Sequence, residues 1–243
     1  MKIGIAILNW NGLNLLKSHL KEVVSKSNNS CVYIIDNNSS DGSVKFVREN
    51  FPEVNIISLD KNYGFAGGYN KGLKAITEDL ICIMNNDIEV TSNWLDPIRE
   101  IFSEKPNSII QPTIMDLNNR QYFEYAGASG GFIDKYGYPF CRGRIFKTVE
   151  KNNGQYIDSK IFWASGACMF LQKKQFFELG GFDERFFAHM EEIDLCWRAF
   201  NSGIDCLASS NSIVYHIGAA TIKEDSNKNC LLYTSDAADE LSC

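Results

Sequence analysis

Apolar residues in this chain come in short β-branched runs, each stopped by amides or acids, and the runs alternate with stretches of helical spacing. Ile3–Leu8 is the first run and breaks at Asn9-Trp10-Asn11-Gly12. Leu13, Leu16, Leu20, Val23 and Val24 then recur at the spacing of one helix face, which predicts a helix from Leu13 to Val24. Cys31–Ile35 predicts a second strand, closed by Asp36-Asn37-Asn38-Ser39-Ser40-Asp41-Gly42, and Ser40 or Asp41 is placed to cap a helix from Ser43 to Asn50. Val54–Leu59 predicts a third strand, Asn70–Ile76 a helix, and Leu80–Met84 a fourth strand. Strands alternating with short helices predict an α/β fold with a doubly wound, mostly parallel sheet.

The second half is less regular. From Asp116 to Asp158 the chain is rich in Gly, Tyr and Asn, which predicts loops and short strands rather than a linker. Apolar character returns over Ile161–Leu171, helices are predicted at Lys173–Leu179 and Glu191–Phe200, and Ile213–Tyr215 predicts a last strand ending at His216. The tail LLYTSDAADELSC continues no pattern and reads as atypical, a truncated or artefactual terminus covering 226–243.

Composition sharpens this only slightly. With 243 residues, 44% of them hydrophobic and 22% charged, the chain has material for a large core. A net charge of -6 argues against a nucleic-acid partner. No run approaches the roughly 20 apolar residues of a spanning helix, and Ile3–Leu8 is too short for a secretory leader. None of the 8 cysteines forms a C-x-x-C pair, and Cys82 and Cys168 sit in apolar runs as small core residues. The expectation is a reduced, cytoplasmic protein with room for peripheral contact at the inner face of the membrane.

Chemistry concentrates where strands end. LICIMNNDIEV stops abruptly at Asn85-Asn86-Asp87, and Val32–Asp36 repeats the strand-then-acid pattern. Open α/β sheets bind ligands at the carboxyl edge of their strands. A lone carboxylate with amides is a thin ligand set that suits Mg²⁺ or Mn²⁺, which fill their shells with water and substrate phosphate. Asp36 alone is equally a turn residue. The glycine-crowded stretch from Tyr63 to Gly72 lacks both the G-K-[ST] ending of a phosphate loop and the G-x-G-x-x-G fingerprint, which argues against a nicotinamide cofactor. It reads either as a loop presenting amides to a ligand or as a tight turn before a helix. In His189-Met190-Glu191-Glu192-Ile193-Asp194, acids at a helix start commonly serve its dipole and Asp194 is spaced to pair with Arg198, while a single acid presented into a cleft can still serve as a general base. Lone histidines such as His216 are more often structural, and His19 has no supporting context.

Taken in order, ILNWNG, IIDNNSSDGS, NYGFAGGYNKG, MNNDIEV, ASGACMF, GGFDERFFAHMEEIDLCWR and VYHIGAAT resemble the family 2 glycosyltransferases of GT-A fold, in a rhamnosyltransferase-like branch. The resemblance covers Ile3 to about Thr221. It implies a GT-A domain over 1–225, with a nucleotide-sugar-binding half at 1–115 and an acceptor-binding, catalytic half at 116–225. By it, Asn9 and Asn11 line the base end of the cleft, Asp36 contacts base or ribose, and Asn38 shapes the loop. Gly64, Gly67 and Asn70 let the chain pass close to the nucleotide, with Asn86 beside it. Asp87 matches the last acid of a D-x-D metal motif, His216 the histidine that completes the metal site, and Glu192 the catalytic base.

The implied activity is inverting, metal-dependent transfer from a UDP-, dTDP- or GDP-linked sugar to a saccharide or lipid-linked acceptor, in surface polysaccharide synthesis. Two positions depart from the family pattern. The metal motif lacks its first carboxylate, which predicts weaker metal binding. The base is glutamate where aspartate is usual, and one methylene moves a carboxylate by about a bond length, where catalysis responds to shifts of roughly 1 Å. The rival readings are a nucleotidyltransferase and a catalytically degenerate sugar-nucleotide-binding module.

Overall fold

The computed structural model describes residues 1–186 and 190–218. Its first half follows the strand–helix alternation: β1 (Ile3–Asn9), α1 (Leu13–Lys26), β2 (Ser30–Asp36), α2 (Ser43–Asn50), β3 (Asn55–Ser58), α3 (Gly64–Gly72), a 3-10 turn at Leu73–Ala75, and β4 (Leu80–Met84). Then come β5 (Ile88–Val90), α4 (Asp96–Glu104) and β6 (Ser108–Asp116). The irregular middle holds four short strands, β7 (Gly131–Ile133), β8 (Pro139–Cys141), β9 (Arg144–Ile145) and β10 (Thr148–Val149), paired as two small hairpin sheets. The chain returns to the main sheet through β11 (Ser159–Ile161), β12 (Cys168–Gln172), α5 (Lys173–Glu178), α6 (Glu191–Asn201) and β13 (Asp205–His216).

The main sheet has the order β11-β13-β6-β12-β4-β1-β2-β3, with β5 pairing β13 off that path. β3, β2, β1 and β4 are mutually parallel. β12 enters antiparallel between β4 and β6, and β6 and β13 are parallel to each other. One sheet therefore runs through both halves of the chain. Its central strands β1 and β4 are buried on both faces, because Ile3, Ile5, Ile7, Leu80, Cys82 and Met84 pack with α1, α2 and α4 while Ala6, Ile81 and Ile83 pack with α3, α5 and α6. Helices on both faces of a largely parallel sheet leave its carboxyl edge open to a ligand.

The stripe predicted for α1 is present as Leu16, Leu20 and Val23, and His19 is buried within it. Burial lowers the His19 pKa, although Asp87 and Glu89 pull the other way.

Three features differ from the sequence reading. The glycine-crowded stretch is helix α3, not a loop, and begins at Gly64 rather than Asn70. A Cβ at Gly68 would lie 2.6 Å from Leu8 Cδ1, and one at Gly72 2.5 Å from Ile35 Cδ1, so the glycines let this helix lie directly on the sheet. The last strand starts at Asp205, eight positions before the reading places it, because its Ser-Ser-Asn-Ser interior looks like a turn. That interior is a register shift between Ser209 and Ile213, and Ser212 Oγ donates to Trp94 O at 2.7 Å. Finally, α4 and β6 lie in a segment for which no element was predicted.

Candidate active site

The ends of β1, β2 and β4 lie side by side, and their polar residues bond to one another. Asn9 and Asp36 are register partners. Asn9 is fully buried, and its Nδ2 reaches Asp36 Oδ1 at 3.5 Å and Ser39 Oγ at 3.2 Å. Ser39 N–H donates to Asp36 Oδ2 at 3.1 Å, closing a turn on the acid. Asn11 takes a left-handed backbone (φ 49), donates its N–H to Ser39 Oγ at 2.9 Å and accepts Ser40 N–H on Oδ1 at 2.8 Å. Asp41 accepts the N–H of Leu13 at 2.8 Å and that of Ser43 at 3.0 Å, so one carboxylate serves the first residues of both α1 and α2. The two loops are thereby zipped together beneath an open edge.

Asn38 is exposed and left-handed (φ 63), which turns the loop. Its neighbour Asn37 does more and was missed by the sequence reading. Asn37 is 2% exposed; its Oδ1 accepts Tyr63 N–H at 2.9 Å, and its Nδ2 donates to Asn62 Oδ1 and Gly64 O, both at 2.9 Å. It fixes the entry to α3, where Gly64 takes a positive φ of 70. A second amide in an Asp-Asn-Asn strand end was the available signal, since an acid followed by one turn-forming residue already explains the bend.

At the end of β4 the three residues part. Asn86 Nδ2 donates to Asn9 Oδ1 at 3.1 Å. Asn85 N–H donates to Ala167 O at 3.0 Å, and its Nδ2 lies 3.3 Å from His216 Nε2. Asp87, 2% exposed, points to His216, whose Nε2 lies 3.0 Å from Asp87 Oδ1. That approach lacks hydrogen-bond geometry, and Asp87 Oδ1 is a buried oxygen without a hydrogen-bond partner. Burial opposes a charge on His216, but Asp87 and Glu124 outweigh it and raise its pKa to about 10. Glu89 faces away and bonds to Arg120 at 2.6 Å.

Met190, left-handed at φ 75, precedes the first residue of α6; His189 lies outside the described residues. Glu191 is 4% exposed and Glu192 half-buried, and each has a buried Oε2 without a hydrogen-bond partner. Burial raises both carboxyls, with Glu192 adding to the rise at Glu191, so the pair holds its protons up to about 8 at Glu191 and about 7 at Glu192. Asp194 pairs with Arg198 at 2.6 Å as its spacing predicts, and Arg198 also donates to Leu179 O and, at 2.8 Å, to Gly181 O. A Cβ on Gly166 would stand 3.6 Å from the Glu192 Cβ, and the next residue, Ala167, is the one whose carbonyl holds Asn85 N–H, so one short segment touches both Glu192 and the end of β4.

Gly67 and Asn70 occupy α3. A Cβ at Gly67 would meet Tyr63 Cβ at 3.0 Å and the Glu184 carboxyl carbon at 3.4 Å. Asn70 spends its amide on the loop before α6, donating to Phe182 O at 2.8 Å and Glu184 Oε1 at 3.1 Å and accepting Phe182 N–H at 2.9 Å. The structure thus joins Asn9, Asn11, Asp36 and Asn86 through one network and sets Asp87 against His216. Among the described residues, the hydrogen bonds of Asn70 run to Phe182 and Glu184 rather than to either group.

The model of glycosyl transferase family 2 matches residues 5–177. The chain belongs to that family. It is by that membership a glycosyltransferase, and the matched span takes in Asn9, Asn11, Asp36, Asn38, Gly64, Gly67, Asn70, Asn86 and Asp87 but stops before α6 and His216. Among curated proteins it is 24% identical over 208 residues to the N-acetylglucosaminyl-diphospho-decaprenol L-rhamnosyltransferase of Mycobacterium tuberculosis, covering 78% of this chain and 67% of that one. It is 23% identical over 208 residues to the low-salt glycan biosynthesis hexosyltransferase Agl10 of Haloferax volcanii, covering 84% of this chain and 63% of that one. Among solved structures, GalNAc-T7 with UDP, GalNAc and Mn²⁺ superposes with a TM-score of 0.72 at 17% identity, over 89% of this chain and 44% of that one. The chain therefore spans about two thirds of these curated relatives and less than half of that solved chain. The fold is GT-A, with a mixed central sheet between helices.

Proposed function

We propose that this domain transfers a sugar, with inversion, from a nucleoside-diphosphate sugar to a hydroxyl of a saccharide or lipid-linked acceptor. The observation that carries the reading is Asp87 Oδ1, buried and unbonded, set 3.0 Å from His216 Nε2 beside the linked ends of β1 and β2. Two neighbouring ligands of an octahedral cation at 2.0–2.1 Å stand ~3 Å apart, so the donor pair fits Mg²⁺ or Mn²⁺. Among the described residues no group of three or more His, Cys, Asp or Glu converges on one point, which suits a cation that takes its other ligands from water and diphosphate.

The chain's own residues then divide the work. Asn9, Asn11, Asp36 and Ser39 form a rigid rim for base and ribose. Glu192 accepts the proton of the acceptor hydroxyl as that oxygen bonds to the anomeric carbon. The bond from the anomeric carbon to the phosphate oxygen breaks in the same step, and its electron pair leaves on the diphosphate. A cation on Asp87 and His216 supplies neutralisation of that charge when bound. One in-line displacement needs one base, unlike the paired carboxylates of glycoside hydrolysis.

The rhamnosyl and hexosyl transfer named for the two curated relatives, and the decaprenol in one name, support a glycan-building role with a lipid-linked acceptor. Work at a membrane face follows from such an acceptor. Among the described residues no helix is long and apolar enough to cross a membrane.

Calorimetric titration with UDP, dTDP and GDP, each with and without Mn²⁺, tests the reading. One nucleotide is expected to bind in a Mn²⁺-dependent way, and Asp87→Ala to remove that dependence. Folded protein that binds none of the three, or binds equally without Mn²⁺, overturns it.

A further inference from the structure

His216 is flanked on both edges of its ring. Nε2 faces Asp87 at 3.0 Å, and Nδ1 faces Glu124 Oε1 at 3.8 Å. Nδ1 is buried and has no hydrogen-bond partner. Glu124 is 6% exposed, and no part of the proposed reaction uses it.

Its placement is fixed locally. Glu124 Oε2 accepts Ala126 N–H at 2.7 Å, and the Glu124 N–H donates to Ile114 O at 3.1 Å. Ile114 N–H in turn donates to Ala128 O at 2.7 Å, so the turn carrying Glu124 is stitched to β6 at both ends. A Cβ at Gly218 would lie 3.1 Å from Glu124 Oε1, and Gly218 has a positive φ of 68. A side chain there would press on the oxygen that faces the imidazole. A buried carboxylate is costly unless it is paired, and one oxygen of this one is held by its own turn while the other is aimed at an unpartnered nitrogen.

We infer that Glu124 is the positioning residue that orients His216 toward the cation, an inference that rests on the metal-assisted reading above. A ligating imidazole must offer a lone pair on one nitrogen and carry its proton on the other. A carboxylate opposite Nδ1 fixes the proton there, turns Nε2 to the metal side and increases its basicity. Shortening 3.8 Å to the roughly 2.9 Å of an N–H···O bond takes a shift of about 0.9 Å, within reach of a small ring rotation. Asp87 and Glu124 thus act on opposite edges of one ring, the first as co-ligand and the second as guide.

The test is Mn²⁺ titration followed by electron paramagnetic resonance, counting free aquo-Mn²⁺ and reading the nitrogen coupling of a coordinated imidazole. Parent protein is expected to show that coupling. Glu124→Ala is expected to weaken Mn²⁺ about 10- to 100-fold, the range seen when such outer partners are removed, and to diminish the coupling. Glu124→Gln keeps an acceptor oxygen opposite Nδ1 and is expected to recover most of the affinity. Thermal melts without Mn²⁺ separate a merely structural role, which lowers the melting temperature and leaves the affinity of folded protein unchanged. Parent-like affinity and coupling in folded Glu124→Ala overturn the inference alone. Absence of nitrogen coupling in the parent overturns the metal reading, and this inference with it.

Discussion

Asn86 Nδ2 donates to Asn9 Oδ1 at 3.1 Å, and this bond ties the end of β4 to the end of β1. Gly12 is packed against it: a Cβ there would fall 2.3 Å from Asn86 Nδ2 and 2.4 Å from Asn9 Oδ1. The middle residue of the Asn85-Asn86-Asp87 motif therefore couples the proposed cation loop to the proposed nucleotide rim.

Removing that coupling has a measurable cost. Asn86→Ala leaves Asn9 Oδ1 buried without its donor, which costs about 1–3 kcal/mol. Urea unfolding is expected to show a loss in that range, together with weaker nucleoside-diphosphate binding. Parent-like stability and binding would show that the two loops hold their places independently.

Glu192→Gln keeps shape and removes the proposed base. General-base groups contribute roughly 10²–10⁴ in rate, so kcat is expected to fall by about that factor while donor affinity stays close to the parent value. A variant with parent kcat would sink the assignment. Loss of donor binding instead would place Glu192 at the nucleotide rather than at the acceptor hydroxyl.

Much of this arrangement was legible in the sequence, for identifiable reasons. Apolar runs ending in amides and acids located β1, β2 and β4, because strands buried on both faces must be continuously apolar and must stop where the polar edge begins. Asp36, Asp87 and His216 stood out as strand-end residues, and Asp194–Arg198 as a helical pair. What escaped depended on distant packing. The glycines of α3 read as a loop or a tight turn because their reason for being small, contact with Leu8 and Ile35, lies in other strands. Glu124 gave no signal, since it sits in an irregular segment and matters only through His216, far along the chain. Asn37 was hidden beside Asn38, and nothing local separates an amide that bonds to another loop from one that turns its own.

Asn70 makes a distinct prediction, because its amide is committed to Phe182 and Glu184. Asn70→Ala is expected to destabilise the fold by about 1–3 kcal/mol, since the Phe182 N–H and C=O lose their partner. Hydrogen exchange is expected to quicken at residues 180–186. If stability holds while nucleotide affinity alone drops, Asn70 serves the nucleotide directly, as its place in the glycine motif implies.

The Glu191–Glu192 pair gives stability and activity opposite slopes with pH. Burial, and at Glu191 the neighbouring Glu192, raise these carboxyls above their ordinary 4.5, to about 8 and about 7. The folded state therefore holds protons that the unfolded chain releases. The stabilisation is fully present below about pH 4.5 and is lost as pH rises through about 7 and then about 8. His216, whose charging is opposed by burial but which Asp87 and Glu124 raise from 6.5 to about 10, adds a loss of the same sign at higher pH in cation-free protein. Comparison with Glu191→Gln isolates the pair, because the amide carries no titrating proton. The parent melting temperature is expected to fall between about pH 4.5 and about pH 8, and that of Glu191→Gln to fall less. Proton acceptance by Glu192 requires its ionised form, so kcat is expected to rise through about pH 7 as stability declines. In Glu191→Gln the midpoint of kcat is expected to stay near 7, since burial is the dominant cause at Glu192. A midpoint that moves toward the ordinary carboxylate range would instead show that like-charge repulsion from Glu191, not burial, sets the base.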